Sequence, residues 1–379
     1  MIRFENVCKS YKNTSDEVVR NVSFEVKKGD LVVLIGPSGC GKTTCLKMIN
    51  RLEKITSGNI YINEKSNKEY DPIELRRSMG YVIQQTGLFP HMNIKDNIEI
   101  IQKLSGIDNE KIETRTRELM KMISLDEEYL YRYPTQLSGG QLQRIGVARA
   151  FAMDPEIILM DEPFSALDPL TRVQLQDELL FIQSRIKKTI VFVTHDMNEA
   201  IKLADKICIM KDGEIIQYDT PENIMKYPKD EYVSNFVGRN RIWSNPKYIH
   251  AKDIMIENPF SVPEEMSLIR CIEQMKNKHV TSAMVLDIND NFVGVVNASD
   301  IQKEKDMNVP VSTLCVYPKT IANEKDNLLD LISIFEKENL SYLPVLNDLN
   351  KLVGIITKSS LVTALSQQYI EEKEESKNA

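Results

Sequence analysis

The residues Gly36-Pro37-Ser38-Gly39-Cys40-Gly41-Lys42-Thr43 stand between an aliphatic run, Leu31 to Ile35, and a stretch of helical apolar spacing, Lys42 to Arg51. No other feature of the chain constrains its fold as tightly. A glycine-rich turn that leaves a buried strand and opens a helix points backbone N–H groups, and the positive end of a helix dipole, at an anion. The spacing Gly36-x4-Gly41-Lys42-Thr43 is the phosphate-binding loop pattern, and strand before and helix after are the context it requires. Gly36, Gly39 and Gly41 permit the conformations that aim N–H groups inward. On a nucleoside triphosphate, Lys42 is expected to reach the β- and γ-phosphates. Thr43 is expected to ligate Mg²⁺ through its hydroxyl, and Thr44 to add a phosphate contact. Pro37, Ser38 and Cys40 complete the loop. Leu137-Ser138-Gly139-Gly140-Gln141 is a second turn of this character, without a lysine. A protein with both turns can grip ATP from two sides, which calls for two copies of the chain.

The length of 379 residues suits two or three domains at roughly 150 residues each. A net charge of −7 gives no general footprint for nucleic acid. The six cysteines lack CxxC spacing, which argues against a zinc site or a disulfide framework and fits a reducing cytosol. The first residues, Met1-Ile2-Arg3-Phe4-Glu5-Asn6, show no apolar signal region, and the apolar runs are too short to span a bilayer. Work at a membrane therefore requires another subunit to cross it.

Residues 1–237 alternate β-branched runs with helical stretches, the pattern of an α/β domain. Leu31–Ile35, Ile157–Asp161 and Thr189–Thr194 read as core strands. From about 93 to 153 the apolar spacing turns helical, which marks a helical subdomain inserted in the sheet domain. Residues 238–250 read as a linker. Beyond them the chain repeats itself at an offset of 60: Leu268, Ile272, Val285, Leu286, Val293, Gly294 and Ser299 fall on Leu328, Ile332, Val345, Leu346, Val353, Gly354 and Ser359 without a gap. The copies are set at 251–308 and 309–368, each reading helix, strand, turn, strand, polar helix start. Residues 369–379 form an acidic tail with no periodic apolar face, expected to be disordered.

Four hydrophobic residues deliver Asp161 and Glu162 to the carboxyl edge of the sheet, where ligands of open parallel sheets sit. Asp161 is expected in the Mg²⁺ shell and Glu162 to polarise the attacking water. His195 ends a core strand, where a neutral imidazole can donate to a γ-phosphate and hold water and Glu162 in register. After Tyr81-Val82-Ile83 come Gln84 and Gln85; either can ligate Mg²⁺ or bind the attacking water, and the residues alone do not separate them. Tyr11 can stack on adenine.

In this order the motifs resemble the ATP-binding subunit of an ABC transporter over residues 1–237. Gly36 to Thr43 corresponds to Walker A, Gln84 to the Q-loop, Leu137 to Gln141 to the family signature and Ile157 to Asp161 to Walker B. Glu162 falls at the catalytic glutamate, Ser165-Ala166-Leu167-Asp168 at the D-loop and His195 at the switch histidine. The resemblance selects Gln84 over Gln85. Gly87-Leu88-Phe89-Pro90-His91 resembles the import-type branch. The family implies a P-loop NTPase fold, hydrolysis of ATP to ADP and phosphate, and a head-to-tail homodimer. In that dimer ATP on one Walker A meets Ser138, Gly139, Gly140 and Gln141 of the other copy, beside the D-loop residue Asp168. A γ-phosphate contacted from both copies stabilises only the closed dimer. Swinging open to closed from 1:99 to 99:1 takes about 5.5 kcal/mol, within reach of several charge-assisted hydrogen bonds at roughly 1.5–3 kcal/mol each.

The repeated half resembles a pair of CBS domains, on Gly294-Val295-Val296-Asn297-Ala298-Ser299-Asp300 and Gly354-Ile355-Ile356-Thr357-Lys358-Ser359-Ser360. Such pairs bind adenosine-type ligands between the repeats, with the closing Asp accepting from a ribose. Asp300 is present, but Ser360 takes its place in the second copy, and the opening Thr is Asn297 in the first and Thr357 in the second. At most one typical ribose site is intact. Tyr342 replaces Ser282 at the matching position and can stack a purine, with Thr281 and Ser282 hydrogen-bonding it; the other reading is a structural dimerisation module. An ABC ATPase joined to a CBS pair resembles the ATP-binding subunit of quaternary-amine importers for glycine betaine, carnitine or choline. This implies osmoprotective import through separate transmembrane permease subunits and, through them, a solute-binding protein. It also implies a peripheral place on the cytoplasmic face of the cell membrane, and control by ionic strength or by cyclic di-AMP as regulatory nucleotide. The alternatives are an importer ATPase for another solute, such as an amino acid, and a non-transport ABC ATPase.

Overall fold

The computed structural model describes residues 1–11, 17–84, 87–238, 241–243 and 245–366, and the chain divides into two compact units after Gly238. Gln85 and the expected tail over 369–379 lie outside the described residues.

In the first unit, β1 (Ile2–Ser10) and β2 (Glu17–Val26) form an antiparallel pair. Next come β3 (Leu31–Ile35), α1 (Lys42–Ile49), β4 (Ser57–Ile62) and β5 (Lys65–Ser66), and the first sheet runs β2-β1-β4-β5. The elements α2 (Pro72–Arg77), β6 (Met79–Val82), α3 (Ile94–Leu104), α4 (Asn109–Met122) and α5 (Gly139–Phe151) lead into β7 (Ile157–Asp161). Then follow α6 (Pro169–Ile186), β8 (Thr189–Thr194), α7 (Met197–Leu203), β9 (Lys206–Lys211), β10 (Glu214–Asp219), α8 (Pro221–Lys226) and α9 (Glu231–Val237). The second sheet has the order β10-β9-β3-β8-β7-β6, with β10 antiparallel to β9 and the other pairs parallel.

Every residue of β3, β7 and β8 is buried, as expected of strands covered on both faces. Cys45, Leu46, Met48 and Ile49 of α1 share one core with Phe4 and Phe24 of the first sheet and Leu34, Leu159 and Val191 of the second. The helix ends two residues before the expected Arg51. Asn50 closes it, and Arg51 turns left-handed (φ 57°) with its guanidinium donating to the Tyr70 carbonyl at 2.7 Å. Likewise β6 stops at Val82, so Ile83 leaves the sheet and Gln84 enters a turn. Within the stretch 93–153 lie α3, α4 and α5. Asn93 caps the first through the Asp96 N–H at 2.8 Å.

The second unit contains α10 (Ala251–Ile254), β11 (Ile256–Glu257), β12 (Ser261–Pro263), α11 (Leu268–Asn277), β13 (Ser282–Leu286), β14 (Phe292–Asn297) and α12 (Ala298–Ile301). The second copy contributes β15 (Ala322–Asn323), α13 (Leu328–Glu338), β16 (Tyr342–Leu346) and β17 (Leu352–Thr357). The starts of α13, β16 and β17 stand 60 residues after those of α11, β13 and β14. Backbone conformation repeats as well: His279 and Asn339, and Asp290 and Asn350, are paired left-handed residues. The opening segment of each copy pairs with the last strand of the other, Ile256 with Ile355 and Val316 with Val295. A side chain at Gly294 would meet the Val316 carbonyl at 2.7 Å, and one at Gly354 the Met255 side chain at 2.5 Å, so glycine makes both crossings possible. Ile242, Trp243 and Ile249, within the connecting segment expected over 238–250, pack with Leu328, Leu331 and Leu343.

Candidate active site

Four neighbouring parallel strands end on one edge of the second sheet and carry the expected residues there. After β3 comes the glycine loop, after β8 His195, at the end of β7 Asp161 and Glu162, and after β6 Gln84. The register sets Ile35 beside Thr194 and Asp161 beside Val193. Residues separated by more than a hundred positions therefore meet within one or two strand spacings.

Pro37, Ser38 and Gly39 are exposed at the apex of the loop, while Cys40, Gly41 and Lys42 are buried and Thr43 and Thr44 half-buried. A Cβ at Gly36 would lie 2.1 Å from the Met210 carbonyl, so only glycine lets the loop leave β3 so close to β9. Gly41 caps α1 in the left-handed region (φ 100°) with no side-chain acceptor, which leaves the first-turn N–H groups to an anion. Lys42 is only 6% exposed. Its ammonium is turned under the loop, donating to the carbonyls of Gly36 at 2.8 Å and Pro37 at 2.9 Å. Reaching a β- or γ-phosphate requires exchanging those bonds for phosphate oxygens, a trade favoured by charge.

The Thr43 hydroxyl donates to Asp161 Oδ1 at 2.8 Å. Burial pushes the Asp161 carboxyl above the usual range, opposed by the Thr43 hydrogen bond. Glu162 stands in the left-handed region (φ 43°), with its N–H bonded to the Val193 carbonyl at 3.0 Å. Such a conformation costs on the order of 1–3 kcal/mol and persists where the surroundings enforce it. Its Oε2 accepts from the Gln84 amide at 3.1 Å and lies 3.3 Å from His195 Nδ1. The imidazole is exposed on its other side, toward the edge where the glycine loop and Gln84 lie.

The remaining expected residues lie apart from this cluster. Tyr11 follows β1, 38% exposed, with the Lys9 ammonium 4.5 Å from its ring centroid. Ser138 is the N-cap of α5: its hydroxyl accepts from the Gln141 N–H at 3.4 Å, and Gln141 Oε1 accepts the Ser138 N–H at 2.9 Å. The signature turn sits beside its own chain's D-loop; a Cβ at Gly139 would contact Leu167 and one at Gly140 would contact Thr171. Asp168 caps α6 through the Thr171 N–H at 3.0 Å, and that bond holds its carboxyl below the usual range.

In the second unit the Tyr342 hydroxyl donates to Asn297 Oδ1 at 3.3 Å, across strands of the two repeats. Asp300 pairs with Lys303 at 3.2 Å, and the Thr281 carbonyl accepts from the Ala298 N–H at 2.9 Å. In the second copy Thr357 and Ser360 bond each other, Oγ1 to Oγ at 3.0 Å. Asn297, Lys319, Thr320, Ser341 and Tyr342 line a cavity of about 690 Å³. Lys319 and Thr320 had no motif to announce them; only the fold brings them to Tyr342.

The sequence model of the ABC transporter family, described as "ABC transporter", matches residues 19–165, and that of the CBS domain matches 251–306 and 311–367. The carnitine transport ATP-binding protein OpuCA of Listeria monocytogenes is 46% identical over 365 residues, 96% of this chain and 91% of that protein. The chain belongs to the ABC transporter family. The glycine betaine/carnitine/choline transport ATP-binding protein OpuCA of Bacillus subtilis is also 46% identical, over 96% of this chain and 95% of its own length. Among solved structures, the dimeric bacterial ABC transporter cassette MJ0796 is 37% identical with a TM-score of 0.54, covering 58% of this chain and 99% of that one. Its post-hydrolysis form bound to ADP and Pi is similar at 36% identity and the same TM-score of 0.54, over 58% of this chain and 99% of that one. The P-loop NTPase fold followed by tandem CBS repeats, expected from sequence, is the architecture of this ABC ATPase.

This ABC ATPase also holds side-chain contacts around the site that no motif announces. The Ser165 hydroxyl donates to the Glu162 carbonyl at 3.0 Å, closing the turn that carries the glutamate. Thr194 and Glu199 bond each other behind His195. The only available signal was a polar residue at a strand end five positions from a carboxylate, which periodicity assigns to solvent.

Proposed function

We propose that this chain is the ATP-hydrolysing subunit that powers import of a quaternary-amine compatible solute, glycine betaine, carnitine or choline, through separate permease subunits. The observation that carries the reading is identity of 44–46% over 96% of the chain to proteins named for carnitine, glycine betaine and choline transport. The agreement spans both units. Among the described residues no helix is long and apolar enough to cross a membrane, so a peripheral place on the cytoplasmic face fits. A solute-binding protein would hand the solute to the permease; this chain meets neither.

Two copies face head to tail, so that the triphosphate on one glycine loop meets Ser138, Gly139, Gly140 and Gln141 of the other. Tyr11 stacks on the adenine. The loop N–H groups, Lys42 and Thr44 hold the phosphates. Glu162 takes the proton from the attacking water as general base. Gln84 and His195, both beside Oε2, orient that carboxylate, and release of the Gln84 Nε2 bond would let the side chain turn its amide oxygen toward Mg²⁺. Mg²⁺ suits the oxygen donors Thr43, Asp161 and Gln84, which include one carboxylate; among the described residues no three His, Cys, Asp or Glu could hold a metal. Such a set fits a cation shared with substrate phosphates, where it neutralises developing charge.

A groove of about 480 Å³ between α2, β6, α3 and α5 is lined by Ile73, Arg76, Tyr81, Phe89, Ile100 and Arg149. Ile73 and Phe89 are 58% and 41% exposed. This groove lies a few residues from Gln84 and suits a cytoplasmic helix of the permease, so that permease movement reaches Glu162 through the Gln84 loop. At the CBS pair, Tyr342 and its cavity suit a purine, and cyclic di-AMP is the regulatory ligand we assign there.

The test is ATP hydrolysis by the chain reconstituted with its permease and binding protein in proteoliposomes. Stimulation by glycine betaine, carnitine or choline, rising with internal ionic strength, is the expected result. Stimulation by amino acids alone would transfer the reading to another importer, and none by any solute would favour a non-transport ATPase.

A further inference from the structure

The residues flanking His195 are tied to α6, the helix that follows the D-loop, by two polar links. The outer one runs from the Leu167 carbonyl through Arg172, at 3.1 Å, to Asp196, at 3.7 Å. The inner one is buried. Gln176 of α6 donates to Glu199 Oε1 at 3.2 Å, and the Thr194 hydroxyl donates to Glu199 Oε2 at 2.6 Å. The same Thr194 oxygen accepts the Asp196 N–H at 3.0 Å, so Thr194 and Asp196 are fixed on both sides of His195.

Glu199 is 4% exposed, on a helix, α7, in which Met197, Ala200, Ile201 and Leu203 are buried as well. Burial raises its carboxyl above the usual range, with Asp196 adding to the shift and Thr194, Gln176 and Arg172 opposing it. An apolar side chain would fill this space without the desolvation cost. What a carboxylate offers instead is two acceptors, one for the hydroxyl and one for the amide.

We propose that Glu199 is a positioning residue for ATP hydrolysis, which sets the place of the His195 imidazole opposite Glu162 and makes it follow α6, the helix capped by Asp168. This rests on the proposed roles of His195 and Glu162. Glu199 touches neither nucleotide nor water; it acts through Thr194. Displacements of about 1 Å in such a constellation cost up to roughly a hundredfold in rate.

The experiment compares Glu199→Leu, Glu199→Gln and Thr194→Val in the full-length chain assembled with its permease, with His195→Ala as control. Turnover, KM for ATP, equilibrium ATP binding and thermal midpoint are measured. Glu199→Leu and Thr194→Val are expected to lower kcat by about tenfold or more and to leave KM and ATP affinity within about twofold. Glu199→Gln can satisfy both partners once Gln176 turns its amide over, and is expected to restore kcat to within about threefold of wild type. Should Glu199→Leu fail to assemble, Thr194→Val carries the same expectation with the loss of one hydroxyl. Wild-type kcat in that variant overturns the proposal, as does a loss of ATP affinity parallel to kcat, which marks a merely structural role. A deficit that Glu199→Gln does not recover overturns it as well. If His195→Ala itself keeps full turnover, the role given to His195 has failed, and the proposal falls with it.

Discussion

Glu162 owes its position to the backbone as much as to its side chain. The left-handed turn after β7 swings the carboxylate toward Gln84 and His195, while Asp161, one residue earlier, stays in the strand facing Thr43. Glu162→Gln keeps that shape and removes the proposed base. ATP binding is expected to persist while turnover falls roughly 10²- to 10⁴-fold, the range of a general base, as measured by phosphate release against nucleotide-binding titration. Asp161 makes the opposite trade. Its folded-state pKa is raised by burial, so the folded chain holds its proton more tightly than the unfolded one. Stability from this group is present at low pH and is lost as pH rises from the unfolded value through the raised folded one. Asp161→Asn removes that loss and is expected to raise the melting temperature of the nucleotide-free protein at neutral pH. The same variant is expected to depress Mg-ATP turnover, a stability gain at the cost of function. A lower melting temperature in differential scanning calorimetry would contradict this.

At the scale of elements, the signature turn does two jobs with the same atoms. Ser138 and Gln141 bond reciprocally to start α5, and the exposed face of that turn is the one proposed to meet the partner's nucleotide. Ser138→Ala is expected to cost about 1 kcal/mol of stability, read from urea denaturation, together with impaired hydrolysis. Ser138→Asn keeps a good cap and separates the effects: stability returns while hydrolysis stays impaired. The strands were legible because β3, β7 and β8 are buried on both faces and so each carries at least four apolar residues in succession. Helix ends were less so. The last turn of α1 yields to Arg51, whose guanidinium is drawn to the Tyr70 carbonyl, a contact across nineteen residues that no local pattern encodes.

For the whole molecule, the proposed function requires two copies to pair. Sizing of Glu162→Gln with Mg-ATP is expected to give a dimer that wild type forms only transiently, because the γ-phosphate that bridges the copies is never removed; a monomer would contradict the head-to-tail arrangement. In the second unit, Tyr342→Ala is expected to weaken cyclic di-AMP binding by about 1–3 kcal/mol, the stacking contribution of one base, measured by calorimetry. Unchanged affinity would move the ligand elsewhere. The duplication itself was plain in sequence, since gap-free register survives wherever both copies keep one length. How the copies interlock was not, because Val295–Val316 and Ile256–Ile355 join segments from opposite repeats.

Sequence alone determined the phosphate loop, the carboxylate pair, the signature turn and the twofold repeat, because each is a short run whose chemistry depends on neighbours in the chain. Tertiary structure decided which residues converge. It set Gln84, Glu162 and His195 around a single oxygen, turned Lys42 under its own loop, and buried Glu199 behind the histidine. Those outcomes depend on strand order and on where a polar group finds a partner once water is excluded, and spacing along the chain contains neither.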